Sequence, residues 1–418
     1  MTTSTTPFIT SDAVVLGILV GIIWLVFTLA RHPHPFWRKF FSVVPPILLC
    51  YFIPSLLQTT GIIDSQTSKI YPIVSQYLLP VCLILFTLSV DFPSLKLLGP
   101  KAILVFLGGS LGIVLGGPLA LWVVKTVHPE AFLGVGADET WRGLATVAGS
   151  WIGGGPNQTA LKEIFQPSAA LFSQAVTVDI LVAEAVLALI LYAVSKSNHI
   201  DVWLKADPGL LDQVKDRIQK LPSNQERRAT FYDFVQMLGI GFVGTALAHA
   251  AADYITPIIQ QDYPRLADLS LTSRFFWIIL VVTLVGIGAS FTRLRLLEQA
   301  GASQVGSFFL YLLIASIGMQ MDLSAVVNSP WLFLVGILWM CLHLAIIFGV
   351  AYWVKAPFFF LAVGSQANVG GAASAPVVAA AFHPSLVTVG VLLAVLGYTI
   401  GTYAGYICAL LMQWVYHI

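Results

Sequence analysis

The chain has 418 residues, 57% hydrophobic and only 10% charged, with a formal net charge of +1 and a mean hydropathy of +0.86. Soluble domains carry about a quarter charged residues, so this balance describes an integral membrane protein. A near-neutral chain without a clustered Lys/Arg stripe also excludes a nucleic-acid surface.

From the N-terminus, "MTTSTTPFITSD" lacks the basic start of a secretory signal, so the apolar run at 12–30 reads as a retained anchor. Further candidate spans follow near 40–58, 71–90, 100–124, 140–165 and 168–195, completing a first half over 1–195. A second half, 231–418, holds candidates near 231–258, 272–291, 304–321, 330–354, 358–382 and 384–415. Between them, 196–230 is the long polar stretch. Its "GLLDQVKDRIQKL" places Leu210, Leu211, Val214, Ile218 and Leu221 on one helical face, the pattern of an interfacial amphipathic helix or a solvated linker helix. Cys50, Cys82, Cys341 and Cys408 lie in apolar segments without metal-ligand spacing and read as small buried hydrophobes.

The halves resemble each other. "LSVDFPSL" with Asp91 answers "MQMDLSAV" with Asp322, Pro100 answers Pro330, and "WVVK" at Lys125 answers "YWVK" at Lys355, all at an offset of about 230. Further on, "GSWIGGGPNQTAL" from Gly149 answers "GSQANVGGAASAP" from Gly364, and "QPS" at Gln166 answers "HPS" at His383. Landmarks kept in one order indicate an internal duplication. Arg31, Arg38 and Lys39, the seven Lys/Arg of the linker, and Arg293 with Arg295 all favour the cytoplasm. Six crossings in the first half would put the linker opposite the first loop; an odd number reconciles them and inverts the repeats. Pro45, Pro46 and Pro54 make 40–58 the candidate for a segment that does not cross.

Paired interruptions at matching places are the sequence mark of a transporter's binding site. An unwound backbone in hydrocarbon costs several kcal/mol per unpaired group, so it survives only inside protein or beside a wet cavity. Gly153, Gly154, Gly155 and Pro156 are expected to break one helix, and Gly370, Gly371 and Pro376 its partner. Asn157, Gln158 and Thr159 then supply neutral donors and acceptors beside the first break; Ser365, Gln366, Asn368 and Ser374 do so beside the second. The bland alternative is close helix packing through small residues.

Asp179, in "FSQAVTVDILVAEAVLALILY", lies about a dozen residues into a span, near the bilayer midplane at ~1.5 Å per residue. An ionisable group there is a functional candidate by default, able to hold a proton or a cation such as Na⁺ in turn. The alternative is a hydrogen-bonded structural Asp. Glu184, five residues on, falls on a different helix face and ranks lower. Asp91 and Asp322 read as helix caps, and His249 and His343 as packing or helix-bonding residues. Gln174, Thr177, Tyr398, Thr399 and Thr402 could complete a polar lining. Gly108–Gly112 spells G-x-S-x-G around Ser110, but inside an apolar span, where helix packing is the stronger reading; there is no Walker A sequence and no H-E-x-x-H.

At "GGGPNQTA" and "SQANVGGAASAP", with Asp179 on the following helix, the chain resembles the YjcL-like membrane proteins, domain-of-unknown-function family 819. That family is grouped with the cation–proton antiporter and bile-acid–sodium symporter superfamily. The resemblance covers nearly the whole chain. It implies a panel or dimerisation domain, a core domain with two crossed broken helices, inverted repeats and elevator-like access. It places Asp179 where the antiporters keep an ion-binding aspartate, although Val178 stands where they have a second Asp or an Asn. Asn157, Gln158 and Thr159 fall at the symporters' sodium and substrate contacts, and Gln366 and Asn368 where an acidic residue is common.

The expectation is therefore an all-α polytopic membrane protein of two homologous, inverted repeats, roughly five or six helices each. Its expected function is secondary transport of a small anionic or zwitterionic solute coupled to Na⁺ or H⁺, with no other cofactor. The rivals are a cation–proton antiporter without organic substrate, and a non-transporting receptor or enzyme. A homodimer in a bacterial-type inner membrane is the expected setting.

Overall fold

The computed structural model describes residues 9–41, 44, 46–63, 68–207, 209–219, 227–267, 269–320 and 330–418, with side chains for all of these but 218 and 219. Asp322, Pro45 and Leu221, and the side chain of Ile218, lie outside that set. The described residues are helical apart from one isolated bridge between Ile9 and Ile63. In chain order the main helices are α1 (Asp12–Ala30), α2 (Pro46–Thr59), α3 (Ile70–Leu88), α4 (Pro100–Val127), α5 (Thr140–Phe165), α6 (Ala169–Val194), α7 (Leu210–Gln219) and α8 (Phe231–Asp262). Then come α9 (Arg274–Ser290), α10 (Ala302–Gly318), α11 (Pro330–Val354), α12 (Phe358–Val369), α13 (Gly371–Phe382) and α14 (Val387–His417).

Seven of these helices are long and apolar enough to cross a bilayer. The sequence pattern behind one of them is plain. Along α4, Leu104, Leu107, Leu111, Leu115 and Leu119 point outward with 42–50% exposure. On the opposite face, a Cβ at Gly112 would sit 3.1 Å from the Cα of His343, and one at Gly116 would meet Trp339. Apolar side chains thus face lipid, while small residues let α4 and α11 approach backbone to backbone. The G-x-S-x-G run belongs to this packing face.

The two glycine-interrupted segments differ from the crossed broken helices that the resemblance implies. Each turns back on itself. A continuous helix from Arg142 to Phe165 would separate them by roughly 35 Å. Instead Arg142 Nη1 donates to the Phe165 carbonyl at 2.7 Å, and the Trp141 and Phe165 rings lie 5.4 Å apart. α5 is therefore a hairpin, residues 140–152 running in and 155–165 running out, with its turn at Gly153 (φ −148°, ψ 18°) and Gly154 (φ 74°). Likewise, α12 and α13 turn at Gly370–Gly371 (Gly371 φ 57°) and bring Phe358 and Phe382 within 5.9 Å. Pro156 sits in the first turn of its returning arm, where its missing N–H costs nothing. Pro46–Thr59 is itself continuous despite Pro54, but it follows Pro35–Phe41 at a bend of 88°.

The hairpins come from opposite ends of α4. At its start, Lys101 pairs with Asp207 at 3.8 Å, and Asp201 accepts from the Phe358 N–H at the base of the α12–α13 hairpin. At its end, Lys125 donates to the Tyr416 carbonyl, and the Tyr416 hydroxyl donates to Gly134, next to the base of the α5 hairpin. Because a hairpin returns toward the end it left, α5 does not by itself span a bilayer as a straight helix of its length would.

Two large apolar clusters form, each drawing on both halves of the sequence. One gathers α4, both hairpins, α6, α11 and α14; the other gathers α1, α2, α3, α8, α9 and α10. In the linker helix α7, Val214 is fully buried in the first cluster, with Leu210 and Leu211 packed beside it, so this part of its apolar face meets protein.

Candidate functional site

Both hairpin turns reach the same place. Gly154, Gly155 and Gly370 border one cavity of about 160 Å³, together with Asp179 and Gln366. The returning arms begin there, with Gly155 of the first and Ala373 and Ser374 of the second on its wall. The partial positive charge of a helix N-terminus favours an anionic group at such a point.

Asp179 is 5% exposed and held from one side. Gln158 Nε2 donates to its Oδ2 at 2.7 Å, and the Gln158 Oε1 accepts from the Tyr51 hydroxyl at 3.2 Å. A polar chain thus runs from α2, in the second apolar cluster, through the returning arm to the carboxylate. Ser150 and Trp151 also stand close to that carboxylate. Glu184 lines the same cavity: the half-buried stripe Ile180–Ala183–Glu184–Leu187 of α6 forms one wall. Separation of Glu184 from Asp179 on a helical wheel did not separate them in space, because the cavity wraps part of the helix.

The structure divides the other sequence candidates into two kinds. Asn157 is a staple: its Nδ2 donates to the Gly153 carbonyl at 2.6 Å and to the Tyr398 carbonyl at 3.3 Å, while its Oδ1 accepts from Thr402. It satisfies a carbonyl released by the turn and ties the hairpin to α14. Asn368 ties the other hairpin to α4, donating to the Phe106 and Gly364 carbonyls at 3.0 Å and accepting from Ser110 at 2.7 Å. Ser365 bonds His343 Nε2 at 2.9 Å, and His343 Nδ1 donates to the Gly109 carbonyl. Thr159 bonds back to the Gly155 carbonyl of its own helix, as Thr177 does to Ser173. None of these five lines the cavity, and Pro376 lies inside α13 away from it.

Gln366 and Ser374 do line it. The Ser374 hydroxyl donates to Gln366 Oε1 at 2.9 Å across the hairpin, leaving the Gln366 Nε2 buried without a hydrogen-bond partner. Such a group in a native interior asks for a ligand or water. Tyr398, whose ring packs 4.6 Å from Phe86, stands over the start of α13 at Gly371. Tyr311 of α10 closes the cavity from the second cluster; sequence reasoning missed it, as it missed Tyr51 and Ser150, because nothing local marks them. Asp91 caps the helix Phe92–Leu97 as expected, accepting from the Ser94 N–H, and also pairs with Arg295 at 3.1 Å.

The Ser110 hydroxyl is thereby committed to Asn368. Ser110→Ala leaves a buried amide oxygen unsatisfied and should cost about 1–3 kcal/mol. A lowered unfolding temperature with unchanged solute binding is the expected result, checked by thermal unfolding with and without solute.

Comparison with known proteins agrees with a membrane protein. The family model described as Protein of unknown function (DUF819) matches residues 15–415, so the chain belongs to that family. It is similar to the "Uncharacterized membrane protein YjcL" of Bacillus subtilis (strain 168), 25% identical over 380 residues, covering 88% of this chain and 89% of the relative.

Proposed function

We propose that this member of the DUF819 family is a secondary transporter, moving a small anionic or zwitterionic organic solute together with Na⁺ or H⁺. One observation carries the reading: two hairpin turns from opposite ends of α4 meet at a cavity that also holds a buried carboxylate. Re-entrant backbone at membrane depth is tolerated only beside protein or water, and its unpaired amides make a polar centre without a charged side chain.

The order helix–hairpin–helix occurs twice, as α4–α5–α6 and as α11 to α14, and enters from opposite faces. That supports inverted repeats. Arg31, Arg295 and the linker then share the face where α4 begins, which the positive-inside rule makes cytoplasmic. The cavity lies where the two apolar clusters meet, with Tyr51 and Tyr311 on one side and the hairpins on the other. Sliding of the hairpin cluster against the other would carry the site between faces, an elevator motion. The setting proposed is a bacterial-type inner membrane, and no enzymatic activity is assigned.

Cation–proton antiport is the second reading, favoured by Asp179 and Glu184 sharing one cavity. Against it, Val178 beside Asp179 is fully buried against Gly336, so the adjacent position supplies no carboxylate. Proteoliposomes separate the readings. Solute uptake driven by an imposed Na⁺ or proton gradient is expected. Cation-for-proton exchange without solute would favour the antiporter, and solute binding with no flux under any gradient would make the protein a receptor.

A further inference from the structure

We infer that the cavity accepts a zwitterion of small amino-acid size, with its carboxylate at the hairpin turns and its ammonium at Glu184. This rests on the transporter reading above and specifies its substrate class.

Size comes first. A volume of about 160 Å³ is close to the ~150 Å³ of a protein cavity that holds benzene, so a solute of about six non-hydrogen atoms fits between these walls. Charge then sets the poles. At one side the returning arms, residues 155–165 and 371–382, start at the cavity, with Gly155 and with Ala373 and Ser374 on its wall, so the positive ends of two helices lie there. Beside them the amide nitrogen of Gln366, a residue 1% exposed, has no partner in the fold. These are donors without a charge, arranged as a carboxylate requires. They would leave a cation unsatisfied.

The α6 wall has the opposite character. Asp179 and Glu184 both border the cavity, and no Lys or Arg does so among the described residues. Asp179 already accepts from Gln158 at 2.7 Å and is the residue assigned to the coupling cation. Glu184 is half-buried and is left to meet a substrate cation. A simple carboxylic acid would face this second carboxylate unpaired; a simple amine would leave the Gln366 donor and the arm N-termini unpaired. Buried polar groups left without partners are what gives such sites their discrimination. Ile180, Ala183 and Leu187 complete the wall with apolar surface, which suits a small aliphatic side chain.

The test uses purified full-length protein, with thermal unfolding and uptake both measured in Na⁺ and in its absence. L-alanine, propionate and propylamine are the probes at equal concentration. Alanine should stabilise the protein and be taken up, with propionate and propylamine at least tenfold weaker. Gln366→Glu keeps an acceptor for Ser374 but turns the free donor into a carboxylate oxygen that repels a substrate carboxylate; Glu184→Gln removes the negative pole. Each should weaken alanine at least tenfold while Na⁺ still stabilises the variant, which shows that it folds. Propionate matching alanine, or either variant keeping full alanine affinity, overturns the zwitterion assignment. Gradient-driven uptake of another solute class would overturn it while the transporter reading stands. If no solute is moved under any gradient, the transporter reading falls and this inference with it.

Discussion

Asp179→Asn should abolish cation-coupled uptake while leaving a folded protein. The substitution preserves shape, and the Asn oxygen can still accept from Gln158 Nε2, which lies 2.7 Å from Oδ2 in the native site. What it removes is the charge. Truncating one partner of a buried charge pair typically costs 2–5 kcal/mol, so a loss of about 3 kcal/mol, roughly 100-fold in cation affinity, is expected. The measurement is solute uptake against an imposed Na⁺ or proton gradient, run beside thermal unfolding of the same preparation. Lost coupling with unchanged unfolding supports the assignment. Uptake that remains cation-dependent at native affinity would remove Asp179 from the ion site. Unfolding at a much lower temperature would make it the structural Asp of the alternative reading, its place being to anchor Gln158 and, through it, Tyr51.

The same residues show how far the sequence could be read. Gly153–Gly154 and Gly370–Gly371 stand out because polar residues flank them at matching places in the two halves, unlike the packing pairs Gly108–Gly109 and Gly116–Gly117, and both are the turns. The direction taken after each turn was not legible. It is set by contacts between the two arms, such as Arg142 with the Phe165 carbonyl, and by Gly149, where a Cβ would lie 2.7 Å from the Asn157 carbonyl oxygen. No local pattern separates a kinked crossing from a hairpin of equal length. Charge adds a separate constraint: the linker's basic residues conflict with an even number of crossings, and a hairpin in the first half is one way to relieve that conflict.

Residue type also misled in an instructive way. Asn157 and Asn368 look like ligands, yet each spends its amide on carbonyls and on a neighbouring helix. Turning the backbone inside a membrane frees peptide groups, and something must satisfy them. Part of the polar sequence around each break is therefore maintenance of the break. Only Gln366 and Ser374, one step nearer the cavity, remain candidates for solute contact from the second hairpin. Tyr51 bonds a residue 107 positions away and Tyr311 comes from a separate helix, where only three-dimensional contact could reveal them.

Neighbouring glycines in the first turn should respond in opposite ways, which tests the hairpin itself. A Cβ at Gly153 would lie 2.5 Å from the Gly397 carbonyl oxygen and 2.9 Å from the Gly401 Cα. Both are backbone atoms of α14, which lies against the turn there and cannot yield without moving the helix. Gly153→Ala should therefore destabilise by about 1–3 kcal/mol or more, and lower the yield of folded protein. At Gly155 the nearest heavy atom to a Cβ is Leu310 Cδ1 at 3.5 Å, an ordinary contact, and the residue faces the cavity. Gly155→Ala should fold normally. Gly155→Leu should also fold, yet lose most solute flux, because its side chain occupies the space between the two turns. Unfolding temperatures for the three variants, with flux for those that fold, decide the matter. Tolerance at Gly153 would mean that α14 does not press on the turn, and native flux in Gly155→Leu would place the permeation route elsewhere.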